Sequence, residues 1–275
     1  MSTVVPNELS IKAEFLPSLE HVKRITSHKP KEGVIHPSSK TLILAINFQG
    51  GVLILSDKRV VDWGYQLQSD NTRKIKAITK FSVLGASGAS AMCDFYIECL
   101  QKATTRFERR YKAWLSPDGQ ANYLKNLIEL VTEEMDFLSY AEPLLVAYDN
   151  LSERGRIFYF QPESPLAAYL NEEDKFGGTG CGYMQLKAFL IHEVKKKTPL
   201  NLGDALSISM MAYALAGMTS IGVTDIRIEL PHIAIITKNG VQFVKEKMMM
   251  TYFQKIDKIL FSGELMREVE AEDDL

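Results

Sequence analysis

Apolar and polar positions along this chain change rhythm several times, and each change marks an expected element. Residues 42–48 and 52–55 are β-rich apolar runs on either side of Gln49-Gly50-Gly51, which predicts a hairpin. Residues 65–68 and 74–78 predict a second hairpin, with Ser69-Asp70-Asn71 as its turn, and 81–86 a further strand ending in Ser87-Gly88-Ala89-Ser90. The spacing then lengthens. Met92, Phe95, Tyr96, Cys99, Ala103 and Phe107 recur at i, i+3, i+4 and i+7, so a helix is expected over 92–112. Pro117-Asp118-Gly119 breaks it. Leu124, Leu127, Ile128, Val131, Met135 and Leu138 repeat the pattern over 121–140. Strands are expected at 143–148 and 156–161, helices at 183–195 and 204–216, and final strands at 226–237 and 241–245 around the Asn239-Gly240 turn.

Runs of strands alternating with pairs of helices indicate an α+β layered fold, two sheets covered by helices on their outer faces. Residues 1–40 lack this regularity. They carry Pro6, Pro17, Pro30 and Pro37, the polar stretch HKPKEG, and only a short amphipathic piece over 14–25. They read as a pro-segment or flexible arm. A body over 41–260 follows, and 261–275, ending EVEAEDDL, reads as a solvated acidic tail.

Composition narrows the class. The chain has 275 residues, 46% hydrophobic and 24% charged, as in ordinary globular proteins that bury a sizeable core. A formal charge of -2 offers no basic excess for nucleic acid or an anionic membrane. Apolar runs fall well short of the roughly 20 residues that span a bilayer. The first residues lack the basic and apolar regions of a secretory signal, and three cysteines make no disulfide framework. The expectation is a cytoplasmic protein. His192 and His232 have no carboxylate or cysteine at ligand spacing, so neither a metal site nor a cofactor is expected.

The chemistry concentrates around Thr41, which stands directly before the first apolar strand. A threonine hydroxyl is a poor nucleophile. Cutting the chain before it would free an α-amine with a pKa of about 7.7–8.0, a base carried by the same residue. Ser56-Asp57-Lys58-Arg59 ends the second strand, and Lys74 follows one hairpin later. A lysine beside the hydroxyl would ease charge development on its oxygen, and an adjacent carboxylate would orient the lysine.

Five pieces in order, TLILAINFQGGVLILSDKR, NTRKI, LGASGA, FGGTGCG and IELPHIAIITKNG, make residues 41–245 resemble a proteasome β-type subunit, closest to the actinobacterial kind. The resemblance implies an N-terminal-nucleophile hydrolase with a four-layer αββα sandwich, assembled with α-type subunits and further copies of itself in stacked heptameric rings. It implies a threonine endopeptidase that cuts unfolded polypeptide in an enclosed chamber, after processing at Lys40-Thr41. Counting from Gly50-Gly51 puts Thr41 at the catalytic threonine, Asp57 at the acidic position, Lys74 at the lysine, and Gly88 at the glycine whose N–H serves the oxyanion. Cys181, in the Gly-Thr-Gly-Cys stretch, and Ser220 fall near the nucleophile. Arg59 reads as structural, holding Asp57 or a neighbouring loop.

Four positions depart from the family pattern. Lys40 stands where glycine is usual, Leu42 where a second threonine is common, Gly217 where an aspartate orients the N-terminus, and Cys181 where serine is found. These keep a rival reading open, a non-catalytic structural β-type subunit that retains its pro-segment. A stand-alone amidase is a third, disfavoured because no large insert builds a private pocket. Val60, Val61, Ser87 and Gly88 suggest a pocket for an apolar side chain. Cys93 and Cys99 read as helix core.

Overall fold

A computed structural model describes residues 15–26, 41–61, 67–69, 71–134, 141–160, 175–197, 199–220 and 222–261. Its centre is a pair of antiparallel sheets. The strands are β1 (Ile43–Phe48), β2 (Gly51–Ser56), β3 (Val60–Val61), β4 (Leu67–Ser69), β5 (Ile75–Thr79), β6 (Ser82–Gly88), β7 (Ala141–Asp149), β8 (Arg154–Tyr159), β9 (Phe176–Thr179), β10 (His232–Thr237) and β11 (Gly240–Phe243). One sheet has the order β11-β10-β2-β1-β9, the other β5-β6-β7-β8, and β3-β4 form a small ribbon.

Successive side chains of a strand point to opposite faces. In β1 and β2 both faces are apolar because both are covered. Ile43, Ala45, Val52 and Ile54 meet Ile75, Val83, Leu144, Val146 and Ile157 of the second sheet. Leu42, Leu44, Ile46, Leu53 and Leu55 turn the other way, onto helices α4 (Cys181–Lys196) and α5 (Leu202–Thr219). Helix α5 is apolar almost all round, since α6 (Glu246–Leu260) covers the side that faces away from the sheet. Asn201 caps its start, accepting the Asp204 N–H at 2.9 Å. On the far side, α2 (Ser90–Tyr111) and α3 (Pro117–Glu134) bury Phe95, Leu100, Phe107 and Leu124 against Leu84, Leu145 and Phe158. The result is the four-layer αββα sandwich expected from the element order.

Several expectations are corrected. β5 pairs with β6 across Lys80-Phe81, while β4 pairs back onto β3, so the second hairpin is one strand later than the turn residues 69–71 suggested. The last long strand begins at His232 rather than 226, because Asp225 caps a turn there through the Ile228 and Glu229 N–H groups. β9 and α6 had no forecast. Residues 135–140, 161 and 262–275, which carried parts of an expected helix, an expected strand end and the acidic tail, lie outside the described residues. Within the segment read as a pro-segment or flexible arm, helix α1 (Leu19–Thr26) is docked: Phe15 and Val22 join the α2–α3 cluster and Tyr123 Oη donates to the Phe15 carbonyl at 3.2 Å.

Candidate active site

Thr41 sits at the rim of the sandwich, 7% exposed, where β1 begins. The ladder between β1 and β2 continues one pair further, with the Asp57 N–H donating to the Leu42 carbonyl at 3.1 Å. That pairing turns the Asp57 side chain back towards the start of β1, and the Leu42 N–H donates to its Oδ1 at 2.9 Å. The Arg59 N–H closes the same turn on Oδ2 at 3.0 Å.

Lys74, immediately before β5, completes the cluster. Its Nζ donates to Thr41 Oγ1 at 2.7 Å and to Asp57 Oδ1 and Oδ2 at 2.9 and 2.8 Å. A lysine has three donors and no acceptor, and here all three point at oxygen. Asp57 is fully buried and the Lys74 side chain nearly so. Burial pushes the Asp57 carboxyl up from its ordinary value, and the Lys74 ammonium and the two backbone N–H groups pull it back. A carboxylate here depends on its partners.

Two glycines flank the hydroxyl. Gly180, between β9 and α4, has φ +88°, and a Cβ on it would lie 2.1 Å from the Thr41 carbonyl oxygen. The Gly182 N–H donates to that oxygen at 3.2 Å. Gly88 ends β6 with φ +119° and lines, with Thr41, Lys74, Val60 and Ala86, a cleft of about 110 Å³. Such a cleft holds a small side chain beside a hydroxyl, a lysine and an exposed strand end.

The sequence-derived residues are therefore partly united. Thr41, Asp57, Lys74 and Gly88 converge, and Arg59 adds its backbone N–H to the Asp57 turn and borders the cleft. Cys181 and Ser220 meet each other, Sγ to Oγ 3.3 Å, across the start of α4 and the end of α5. Lys40 and the side chain of Val61 lie outside the described residues. Ser87 is corrected: strand alternation sends it away from the cleft, where its Oγ lies 2.7 Å from Thr179 Oγ1. Cys93 packs against the α2–α3 cluster, as expected of helix core, and also lines the cleft beside Asp94. Burial, reinforced by Asp94, pushes its thiol up to about 12, so it stays protonated near neutrality. Sequence reasoning missed Asp94, Thr179 and Glu142. Among the described residues no three His, Cys, Asp or Glu side chains stand together as metal ligands, and no helix is long and apolar enough to cross a membrane.

Gly217 has a steric reason. A Cβ there would lie 2.8 Å from the Thr224 carbonyl oxygen and 3.0 Å from the Asp225 Cα, so this backbone leaves no space for an aspartate.

Comparison with known proteins gives the family. Residues 39–221 match the family described as Proteasome subunit. A "Proteasome subunit beta" of Streptomyces griseus is 26% identical over 217 residues, 77% of this chain and 74% of the relative. Proteins of the same description from Frankia alni and Frankia casuarinae are each 28% identical over 204 residues, 73% of this chain and 72% of theirs. With its two antiparallel sheets, outer helices and rim-placed threonine, the chain belongs to the proteasome subunit family and is a β-type member of it.

Proposed function

We propose that this chain is a threonine-type endopeptidase subunit of a proteasome-like core particle, which degrades unfolded polypeptide in an enclosed chamber. The observation that carries the reading is the single lysine Nζ shared between the Thr41 hydroxyl and both oxygens of buried Asp57. Removing the segment before Thr41 would convert its peptide nitrogen into an amine. The Thr41 Oγ1 then attacks the substrate carbonyl carbon and passes its proton to that amine. Lys74, oriented by Asp57, lowers the cost of negative charge on Oγ1, and the Gly88 N–H receives the oxyanion. The amine returns the proton to the leaving nitrogen, an ester forms on Thr41, and water hydrolyses it. No step calls for a cofactor. The partners in this reading are α-type subunits and further copies of this chain in stacked seven-membered rings, in the cytoplasm.

A structural β-type subunit that keeps its pro-segment is the second reading. It is favoured by Lys40 before the proposed cut and by the docking of residues 15–26 into the α2–α3 cluster. Intact mass and N-terminal sequencing of the assembled particle separate the two. A chain beginning at Thr41, with peptide turnover lost in Thr41→Ala, supports the peptidase. A fully assembled ring retaining residues 1–40 overturns it.

A further inference from the structure

Behind Thr41 lies a second polar cluster that the proposed mechanism leaves unused. Thr179, at the end of β9, is 2% exposed and pairs across the sheet with Ile43 of β1, so its side chain enters the layer between the sheets. Ser87, at the end of β6, is 1% exposed and stands opposite Glu142 of β7 in the other sheet. Thr179 Oγ1 donates to Glu142 Oε2, Ser87 Oγ lies 2.7 Å from Thr179 Oγ1, and Ser87 Oγ is 3.5 Å from the same Glu142 oxygen. With Ser87 donating to Thr179 and Thr179 to Glu142, each hydroxyl proton has one acceptor and the chain ends on a carboxylate. The layer around it is otherwise formed by Ile43, Ala45, Leu144 and Ile157.

The residues tied together are the immediate predecessors of the two glycines beside Thr41. Ser87 precedes Gly88 and Thr179 precedes Gly180, and both glycines take positive φ. Glycine in that conformation is permissive, so its backbone needs bracing from outside. An oxyanion donor at Gly88 and a backbone packed against the Thr41 carbonyl at Gly180 both work only if their separation is held. The bond from Glu142 to Thr179 runs from one sheet to the other and holds it.

We infer that Glu142 is a positioning residue, which sets the spacing of Gly88 and Gly180 around Thr41 by clamping the ends of β6 and β9 through Ser87 and Thr179. The inference rests on the peptidase reading for its effect on turnover, though not for its structural content. The test uses the assembled full chain as wild type, Glu142→Leu and Glu142→Gln. Glutamine keeps an acceptor oxygen and leucine does not. Amide exchange in segments 86–90 and 178–182 rises about 10-fold in Glu142→Leu, with the α2–α3 and α4–α5 helices unchanged, and returns towards wild type in Glu142→Gln. Turnover of a fluorogenic peptide falls roughly 10–100-fold in Glu142→Leu with KM within about 3-fold, and glutamine recovers most of it. Wild-type exchange at both strand ends in Glu142→Leu, or a rise spread evenly over the molecule, overturns the inference. If Glu142→Leu does not assemble, Thr179→Val, which cuts only the link to β9, is judged by the same two readouts. A wild-type particle without turnover sinks the peptidase reading and leaves the exchange result to decide this one.

Discussion

Asp57 and Glu142 are both carboxylates at the same end of the sandwich, yet their partners differ in kind. Asp57 is fully buried and holds a cation and two backbone N–H groups. Glu142 is half-buried, and its described contacts include the Thr179 and Ser87 hydroxyls. The first cluster lies within residues 41–74, with Thr41 and Asp57 at one end of the β1–β2 pair and Lys74 just before β5 of the other sheet. The second draws on β6, β7 and β9 from two sheets. A buried ion pair that loses one member leaves an uncompensated charge, whereas a hydroxyl network loses one hydrogen bond at a time. The Asp57 cluster should therefore fail abruptly and the Glu142 cluster by degrees.

The largest effect expected is on Lys74 set against Thr41. Thr41→Ala removes turnover, by on the order of 10⁴-fold or more, as for other essential nucleophiles. It leaves stability within about 1 kcal/mol, because one hydrogen bond is lost. Lys74→Ala removes turnover and also destabilises the subunit by about 3–5 kcal/mol, since Asp57 stays buried without its cation. Denaturant unfolding beside a peptide assay separates the two. The pair Asp57→Leu with Lys74→Met should regain most of the lost stability and none of the turnover. If Lys74→Ala costs no more than Thr41→Ala, the contrast between the clusters collapses.

A third carboxylate tests steric exclusion. Gly217→Asp should destabilise by about 1–3 kcal/mol through its clash with Thr224 and Asp225, without raising turnover. A stable, more active variant would show that the backbone at 217 yields. Thr179→Val should cost about 1–2 kcal/mol by removing its hydrogen bonds to Glu142 and Ser87, less than Lys74→Ala.

The smallest effect concerns pH. Burial, with help from Lys58 and Arg73, lowers the His232 pKa to about 4 from its ordinary 6.5, with Glu229 opposing. Between those values the unfolded chain binds a proton that the folded chain refuses. Stability from this group is thus complete above about pH 6.5 and lost as pH falls towards 4. His232→Gln should flatten the urea midpoint over that window.

Much of the fold was legible because burial on both faces leaves a mark in sequence. The β1–β2 run, the apolar α5 and the i, i+3, i+4 pattern of α2 each carry their environment in their residue types. Thr41 and Asp57 were legible for a related reason: they sit at fixed offsets from one hairpin, and pairing alone carries Asp57 to the start of β1, whereas Lys74, before β5 of the other sheet, was located through the family resemblance. Turn residues misled at 69–71, where Ser69 and Asn71 looked like a hairpin tip but β4 had a different partner. β9 escaped notice because Phe-Gly-Gly-Thr is only four residues long with two glycines at its centre, and it forms by pairing with β1.

Sequence by itself pointed to the family through five pieces that resemble it in order, and it set the order of the layers and the address of the hydroxyl through periodicity and position beside one hairpin. Only the tertiary structure decided that Ser87 turns inward, that Cys93 lines the cleft, that residues 15–26 pack on α2 and α3, and that Glu142 reaches Thr179. Each of these joins residues dozens of positions apart, and no local pattern records which face of one sheet will meet which edge of the other.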